Sequence, residues 1–281
     1  MTQPAPPKYR TTNWSAYNAA LKARGSLLIW FDRDMAWFAA KGGKRGRSQT
    51  FSDAAIQFCL SIKCLFGLPL RQSIGMVESL LKQAGLDWPV PDFSTVSRRQ
   101  KSLNVSIPYR PSSEGLHLLV DSTGIKMLGE GEWKRKKHGA DYRRQWRKVH
   151  LGIDAETLEI RAIEVTANAT GDAQVLPALL EQIPLTEIIT AVSGDGAYDT
   201  RECHALLKKK GIKATIPPRK NAALWEEGHP RNEAVEALKA GELAEWKKQS
   251  GYHQRSKAET AMYRYKQLIS PKLSLRNHNA Q

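Results

Sequence analysis

The first third of the chain repeats apolar residues at helical spacing. In the stretch FSDAAIQFCLSIKCLF, residues 51–66, Ile56, Phe58, Cys59, Leu60, Ile62 and Leu65 form a wide apolar face behind a cap at Ser52 or Asp53. Gly67-Leu-Pro69 interrupts it. Ile74, Met76, Val77, Leu80 and Leu81 then predict a second helix over about 70–84, ended by Gly85. Pro89-Val-Pro-Asp-Phe-Ser94 opens a short third segment, Thr95–Lys101, rich in Ser, Thr and Arg. Upstream, the aromatic-rich stretch 14–40 predicts one or two short helices, and residues 1–13 a loose polar arm. Three helices ending in a short hydroxyl- and Arg-bearing one make a helix-turn-helix pattern, which a plain helical cap can also show. Arg98, Arg99 and Lys101 would reach phosphates and base edges from it.

Two prolines and a Ser-Ser-Glu-Gly end mark residues 106–115 as a boundary, and beyond it the period changes. Leu116–Val120 reads as a buried strand ending at Asp121, and Val149–Ile153 and Leu158–Thr166 as a hairpin. Gly171-Asp172 starts a helix, Thr186–Val192 is a β-branched strand, and residues 200–210 are a helix whose Asp199 and Glu202 fit a capping box. Ile212–Ile216 is a last strand stopped by Pro217-Pro218. A charged segment and a helix from about 252 follow. The order β, β, β, α, β, α, β predicts an α/β fold with a mixed sheet. The expected domains are a helical unit at 1–110 and an α/β unit at 111–281, with an insertion at about 217–250.

Composition changes the picture through its charge. In 281 residues, 41% are apolar, so a core is affordable, but 43 Lys and Arg against 28 Asp and Glu leave +15. Such an excess points to a polyanion, with nucleic acid ahead of an anionic membrane. No apolar run approaches the ~20 residues of a span. The start, Met1-Thr-Gln-Pro-Ala-Pro-Pro7, has no signal-peptide core. Three cysteines are too few for a disulfide scaffold, so a reducing, cytoplasmic setting is expected, with Cys59 and Cys64 buried. The histidines lack zinc spacing, and no GxxxxGK[ST] loop predicts nucleotide use. The positive charge gathers in Lys41–Arg47, in Arg98–Lys101 and in a 133–148 insert where Trp and Tyr alternate with Arg143, Arg144, Arg147 and Lys148. That interleaving suits phosphate contact with stacking. Trp225 and Trp246 read as core packing before base stacking.

The acids that stand apart are Asp121, at a strand end in VDSTG, and Asp195, in Ser193-Gly-Asp-Gly-Ala-Tyr198. Sheets of this class site ligands at the carboxyl ends of strands. Flanking Gly194 and Gly196 give Asp195 room. Glu259 shares one helix stripe with Tyr252, Arg255 and Lys266, at spacings of 3, 4 and 7. A surface salt-bridge ladder is the plain reading of such a stripe. Carboxylates converging from separate elements would instead bind Mg²⁺, and two such ions serve phosphoryl transfer.

VDSTG, SGDGAYDT and the Tyr-x2-Arg-x3-Glu-x6-Lys helix together resemble the DDE transposases of bacterial insertion sequences, in the group with the Tyr-Arg-Glu-Lys signature. The likeness runs from about residue 14 to 275 and includes Asn13-Trp14-Ser-Ala-Tyr17, Pro217-Pro-Arg-Lys-Asn221 and Trp246-Lys-Lys248. It implies a ribonuclease H-like fold, two Mg²⁺ ions for which Mn²⁺ can substitute, and a synaptic homodimer on terminal inverted repeats. It implies Asp121, Asp195 and Glu259 as catalytic metal ligands, and Tyr252, Arg255 and Lys266 as DNA contacts. The implied reaction is hydrolytic nicking of double-stranded DNA at the element ends, then joining of the 3′-hydroxyl to target DNA. The chain ends at Gln281, soon after the signature helix, where group members usually run on for some tens of residues, so a truncated or frameshifted copy is expected. A non-catalytic DNA-binding repressor and a ribonuclease H-like nuclease without strand transfer are the alternatives.

Overall fold

The computed structural model describes residues 34–40, 48–103, 115–127, 146–270 and 272–273, with single positions elsewhere. The chain divides into two compact units, Met1–Ser106 and Ile107–Gln281. The predicted elements of 1–33 and the basic Lys41–Arg47 loop lie largely or wholly outside the described residues.

The first unit holds helices α1 (Asp53–Leu65), α2 (Leu70–Gln83) and α3 (Phe93–Arg99). Ser52 caps α1, its Oγ accepting the Ala55 N–H at 3.0 Å, and Asp92 caps α3 by accepting the Ser94 N–H at 2.8 Å. The chain bends 112° between α1 and α2. Ile56, Cys59 and Ile62 of α1 meet Val77 and Leu81 of α2 and Val96 of α3 in one core. Trp37 closes it, stacked on Trp88 at 5.3 Å and donating its indole N–H to the Pro89 carbonyl at 2.8 Å. Cys64 corrects an expectation: it is exposed, while Cys59 is buried. Five residues on a helix turn ~500°, which puts the two thiols on different faces. No single helix among the described residues is long and apolar enough to cross a membrane.

The second unit is built on a sheet of order β3-β2-β1-β4-β5. Its strands are β1 (Leu116–Met127), β2 (Trp146–Asp154), β3 (Ile160–Ala167), β4 (Ile189–Ser193) and β5 (Lys213–Thr215). The β1, β2 and β3 neighbours are antiparallel, and β4 and β5 add in parallel. Period-2 alternation divides β1 between two cores. Leu116, Leu118 and Val120 pack with α4 (Asp172–Glu181) and α5 (Arg201–Lys209). Leu119 and Ile125, on the opposite face, pack with Ala258, Ala261 and Met262 of α8 (Ser256–Ile269). Helices α6 (Arg231–Lys239) and α7 (Leu243–Gln249) lie in the segment between β5 and α8. This strand order, with helices on both faces, is the ribonuclease H-like arrangement.

Strand β1 is longer than its apolar run predicts. Asp121 lies within it, because Ser122 to Lys126 continue the ladder with β2 as far as Trp146. The parallel ladder with β4, however, stops at Leu119 and Ser193. A two-residue strand β6 (Lys272–Leu273) pairs with β1 only at Lys126 and Met127. Asp121 therefore sits where β1 outruns β4, next to the turn that carries Asp195.

Candidate active site

Asp121 alternates onto the α8 face of the sheet with Leu119. Its Oδ1 accepts the Ser122 N–H at 2.8 Å. Asp195 follows β4 and caps the 3₁₀ turn Gly196–Tyr198, its Oδ1 accepting the Ala197 N–H at 2.9 Å. Each aspartate thus ties one oxygen to its own backbone and leaves the other outward. Both outward oxygens face the Arg255 guanidinium, Asp121 Oδ2 at 3.2 Å and Asp195 Oδ2 at 4.0 Å from the same Nη2. Arg255 Nη1 donates to Glu259 Oε1 at 3.2 Å. Three acids more than sixty residues apart in sequence share one cation.

The segment from Tyr252 to Lys266 is not a single α-helix. Tyr252–Arg255 is a 3₁₀ turn, and α8 begins at Ser256. One 3₁₀ turn is ~3 residues, so Tyr252 and Arg255 still face the same way. Arg255 and Glu259 then meet at i, i+4. The stripe is therefore not the plain surface ladder: Arg255 is largely buried and reaches across to β1, while Glu259 remains exposed. Small residues make this approach possible, since α8 presents Ala258 and Ala261 to the sheet.

Burial pushes the Asp121 carboxyl up, Arg255 and the Ser122 N–H pull it back, and Asp195 and Glu259 push it up again. Burial also raises the Tyr252 phenol, so it stays a neutral hydrogen-bond donor near pH 7. Lys247 lies over the Tyr252 ring, 5.4 Å from its centroid. Lys266 is half-buried near the end of α8 and has no carboxylate partner among the described residues.

The other candidates divide. Arg98 and Lys101 are exposed on and just after α3, with Arg98 3.4 Å from the Thr95 hydroxyl. Arg99 turns inward, donating to the Phe51 carbonyl at 3.1 Å and pairing with Asp53. Lys148 donates to the Thr170 carbonyl and to Asp172, both at 3.0 Å, which ties β2 to the start of α4. Arg147 is half-buried on β2. Arg143 and Arg144 lie outside the described residues.

Asp199 is not the cap of α5. That is Thr200, whose Oγ1 accepts the Cys203 N–H at 3.3 Å. Asp199 is buried and grips Arg231 from α6 through both carboxylate oxygens, Oδ2 at 2.7 Å from Nη2. His204 Nε2 lies 3.2 Å away. Arg231 in turn covers the Trp225 ring at 4.0 Å, with the His204 and His229 rings at its edges. Trp225 is packed, as its neighbourhood in sequence suggests, and Trp246 lines a cavity of about 530 Å³ between α5, β5 and α7.

Residues 112–281 match a family model described as a transposase DDE domain, and residues 22–130 match a second model of the same description. The chain belongs to the DDE transposase family. Among solved structures, this family member is similar to a Drosophila P element transposase strand transfer complex at 13% identity and a TM-score of 0.32, over 71% of this chain and 48% of that one. It is also similar to a Mos1 mariner paired end complex with Mn at 12% identity and a TM-score of 0.27, over 92% and 93% of the two chains. The chain spans about half the length (48%) of the P element transposase chain it matches.

The family name denotes three carboxylates, and a divalent ion is what they would hold. No three acidic, His or Cys side chains among the described residues lie close enough to grip one ion. Asp121, Asp195 and Glu259 are spaced by the guanidinium instead. The donor chemistry still fits: the groups paired with the shared cation are carboxylate oxygens, the donors a hard ion prefers.

Proposed function

We propose that this chain is the transposase of a bacterial insertion sequence, of the Tyr-Arg-Glu-Lys group, acting in the cytoplasm on the DNA that carries it. The observation that carries this reading is the convergence of Asp121, Asp195 and Glu259 on Arg255. A module that only binds DNA gains nothing from three carboxylates facing a polyanion.

Asp121 and Asp195, through their outward oxygens, and Glu259 would hold the divalent ions, Mg²⁺ or Mn²⁺. When bound, these ions activate a water or 3′-hydroxyl and stabilise the leaving oxygen. In the first reaction water attacks an element-end phosphodiester, the P–O3′ bond breaks, and a 3′-hydroxyl is released. In the second that hydroxyl attacks a target phosphodiester in line, a new P–O3′ bond forms, and the displaced target oxygen takes the proton. Tyr252 donates to a phosphate oxygen, Lys266 supplies charge along the strand, and Arg255 exchanges its carboxylates for phosphate as ions enter. Arg98 and Lys101 contact DNA from α3 and the residues just after it, and Arg143, Arg144 and Arg147 add positive charge from the segment before β2 and its start, while Lys148 stays tied to Asp172. Terminal inverted repeats come in pairs, so the working form is a homodimer that brings two ends together.

The test is metal-dependent cleavage of an end-containing duplex by wild type and by Asp195→Asn. Loss of cutting with binding retained is the expected result. Equal cutting by the variant removes the site assignment. Binding without cutting by wild type turns the reading to a repressor, and cutting without a strand-transfer product turns it to a nuclease.

A further inference from the structure

Arg219, in the Pro217-Pro-Arg-Lys segment, is placed unlike the paired arginines of this unit. Arg161, Arg201, Arg231 and Arg255 all pair with carboxylates. The Arg219 guanidinium has no carboxylate within ion-pairing distance among the described residues, and its side chain is exposed. It is nevertheless fixed. Nε donates to the Gly196 carbonyl at 3.0 Å and Nη2 to the Ala197 carbonyl at 3.2 Å. Its backbone N–H donates to Asp199 Oδ2 at 3.2 Å, and the two prolines before it are buried. The Ala197 residue therefore joins two groups directly: its N–H holds Asp195 and its carbonyl holds Arg219.

Two carbonyls orient the fork without neutralising it. Nη1 and the second hydrogen of Nη2 have no partner among the described residues. An oriented guanidinium with open donors and full charge is a receptor for a phosphate oxygen, for which bidentate Arg geometry is matched. Little side-chain entropy is left to lose on binding.

We propose that Arg219 is a DNA-phosphate anchor built onto the Asp195 turn, holding one phosphodiester of the bound strand at a fixed offset from the Asp195 carboxylate. The inference rests on the transposase reading and adds to it a residue outside the signature helix. Its charge acts on the nucleic acid, and its two carbonyl bonds make the position of that phosphate and of Asp195 a single rigid unit.

The experiment is fluorescence anisotropy of a labelled DNA duplex titrated across salt, with wild type, Arg219→Gln and Arg219→Lys, each checked for an unchanged melting transition. The expected result is a loss of about one unit in the slope of log affinity against log salt for Arg219→Gln, the share of one phosphate. Arg219→Lys, which keeps the charge, keeps the slope. A duplex with a single neutral methylphosphonate at the anchored position should weaken wild type and leave Arg219→Gln unmoved. An unchanged slope in Arg219→Gln overturns the proposal while wild-type binding stands. Inorganic phosphate that saturates wild type without displacing DNA also overturns it, in favour of a free-anion site. A wild-type protein that binds no duplex removes the transposase reading as well.

Discussion

A carboxylate has two oxygens, and in Asp121 and Asp195 they have different tasks. One is held by a neighbouring backbone N–H and the other faces Arg255. The orientation of each acid is thus set by local chain geometry and does not depend on the cation between them. Arg255 answers the charge. Replacing it by Ala leaves two partly buried carboxylates facing each other without a counter-charge. The ion-free protein should lose about 1–3 kcal/mol, the order of a buried polar group left unpaired. Mg²⁺ should restore most of it, so the readout is the melting temperature of Arg255→Ala in chelator and in Mg²⁺. Equal deficits in both conditions would separate Arg255 from the ion site. Gly194 makes a second residue-scale point. A Cβ there would lie 2.8 Å from the Tyr198 ring and 3.0 Å from Val120. The glycine serves the buried Tyr198 more than it serves a ligand. Gly194→Ala should cost about 1–3 kcal/mol by overpacking. It should also lower cleavage by shifting the Asp195 turn, as denaturant unfolding and turnover on one preparation would test.

At the scale of elements, the site depends on one strand outlasting its neighbour and on one helix lying close to it. Alternation in VDSTG is enough to place Asp121 on a face, but it does not tell how far β1 runs past β4. That depends on the partner strand, whose pairing with Ser122 to Lys126 is not visible in β1 itself. The segment between β5 and α8 is attached through a bond that no local pattern signals. Asp199 and Arg231 are 32 residues apart, and capping chemistry offered Asp199 a nearer role. Asp199→Ala strands a buried guanidinium, at about 3–5 kcal/mol. Limited proteolysis should then cut within 217–250 faster than in wild type, with the β1–β4 sheet still protected. Unaltered digestion would show that α6 is held by its apolar contacts alone.

For the whole molecule, acid should destabilise the second unit in two stages. His150 is fully buried, and burial lowers its imidazole below the usual range. Its unfolded form takes up a proton below pH ~6.5 and its folded form does not, so stability falls as pH drops through that value. Asp154 and Asp199 are lowered despite burial, by Arg161 and by Arg231 with His204. Their contribution is complete above pH ~3.9, where the unfolded carboxyls are ionised, and is lost below it. Urea midpoints against pH should show both stages, and His150→Gln should shrink the first, to which His117 and His229, also lowered by burial, contribute. Much of this molecule was legible beforehand. Periodicity located α1 to α5, α8 and the order of the strands but not α6 and α7, which lie in what reads as a charged segment, and strand-end position and stripe spacing singled out the three acids that meet at Arg255. What sequence could not supply were the partners: the shared guanidinium, the inward turn of Arg99 and Lys148, the exposure of Cys64, and Arg219. Each depends on which distant residue occupies the neighbouring space, and a single chain does not record that.

The grip of Asp199 on Arg231 has a consequence for integrity. Exposed residues such as Glu226, Glu227 and Gly228 lie between the two halves of that bond, which also includes the Ala223 carbonyl. Ala234 and Val235 are buried beyond it. A protease that hydrolyses the peptide between Glu227 and Gly228 would break the covalent thread and leave the particle whole. Two fragments would migrate in detergent, and one species would sediment in buffer.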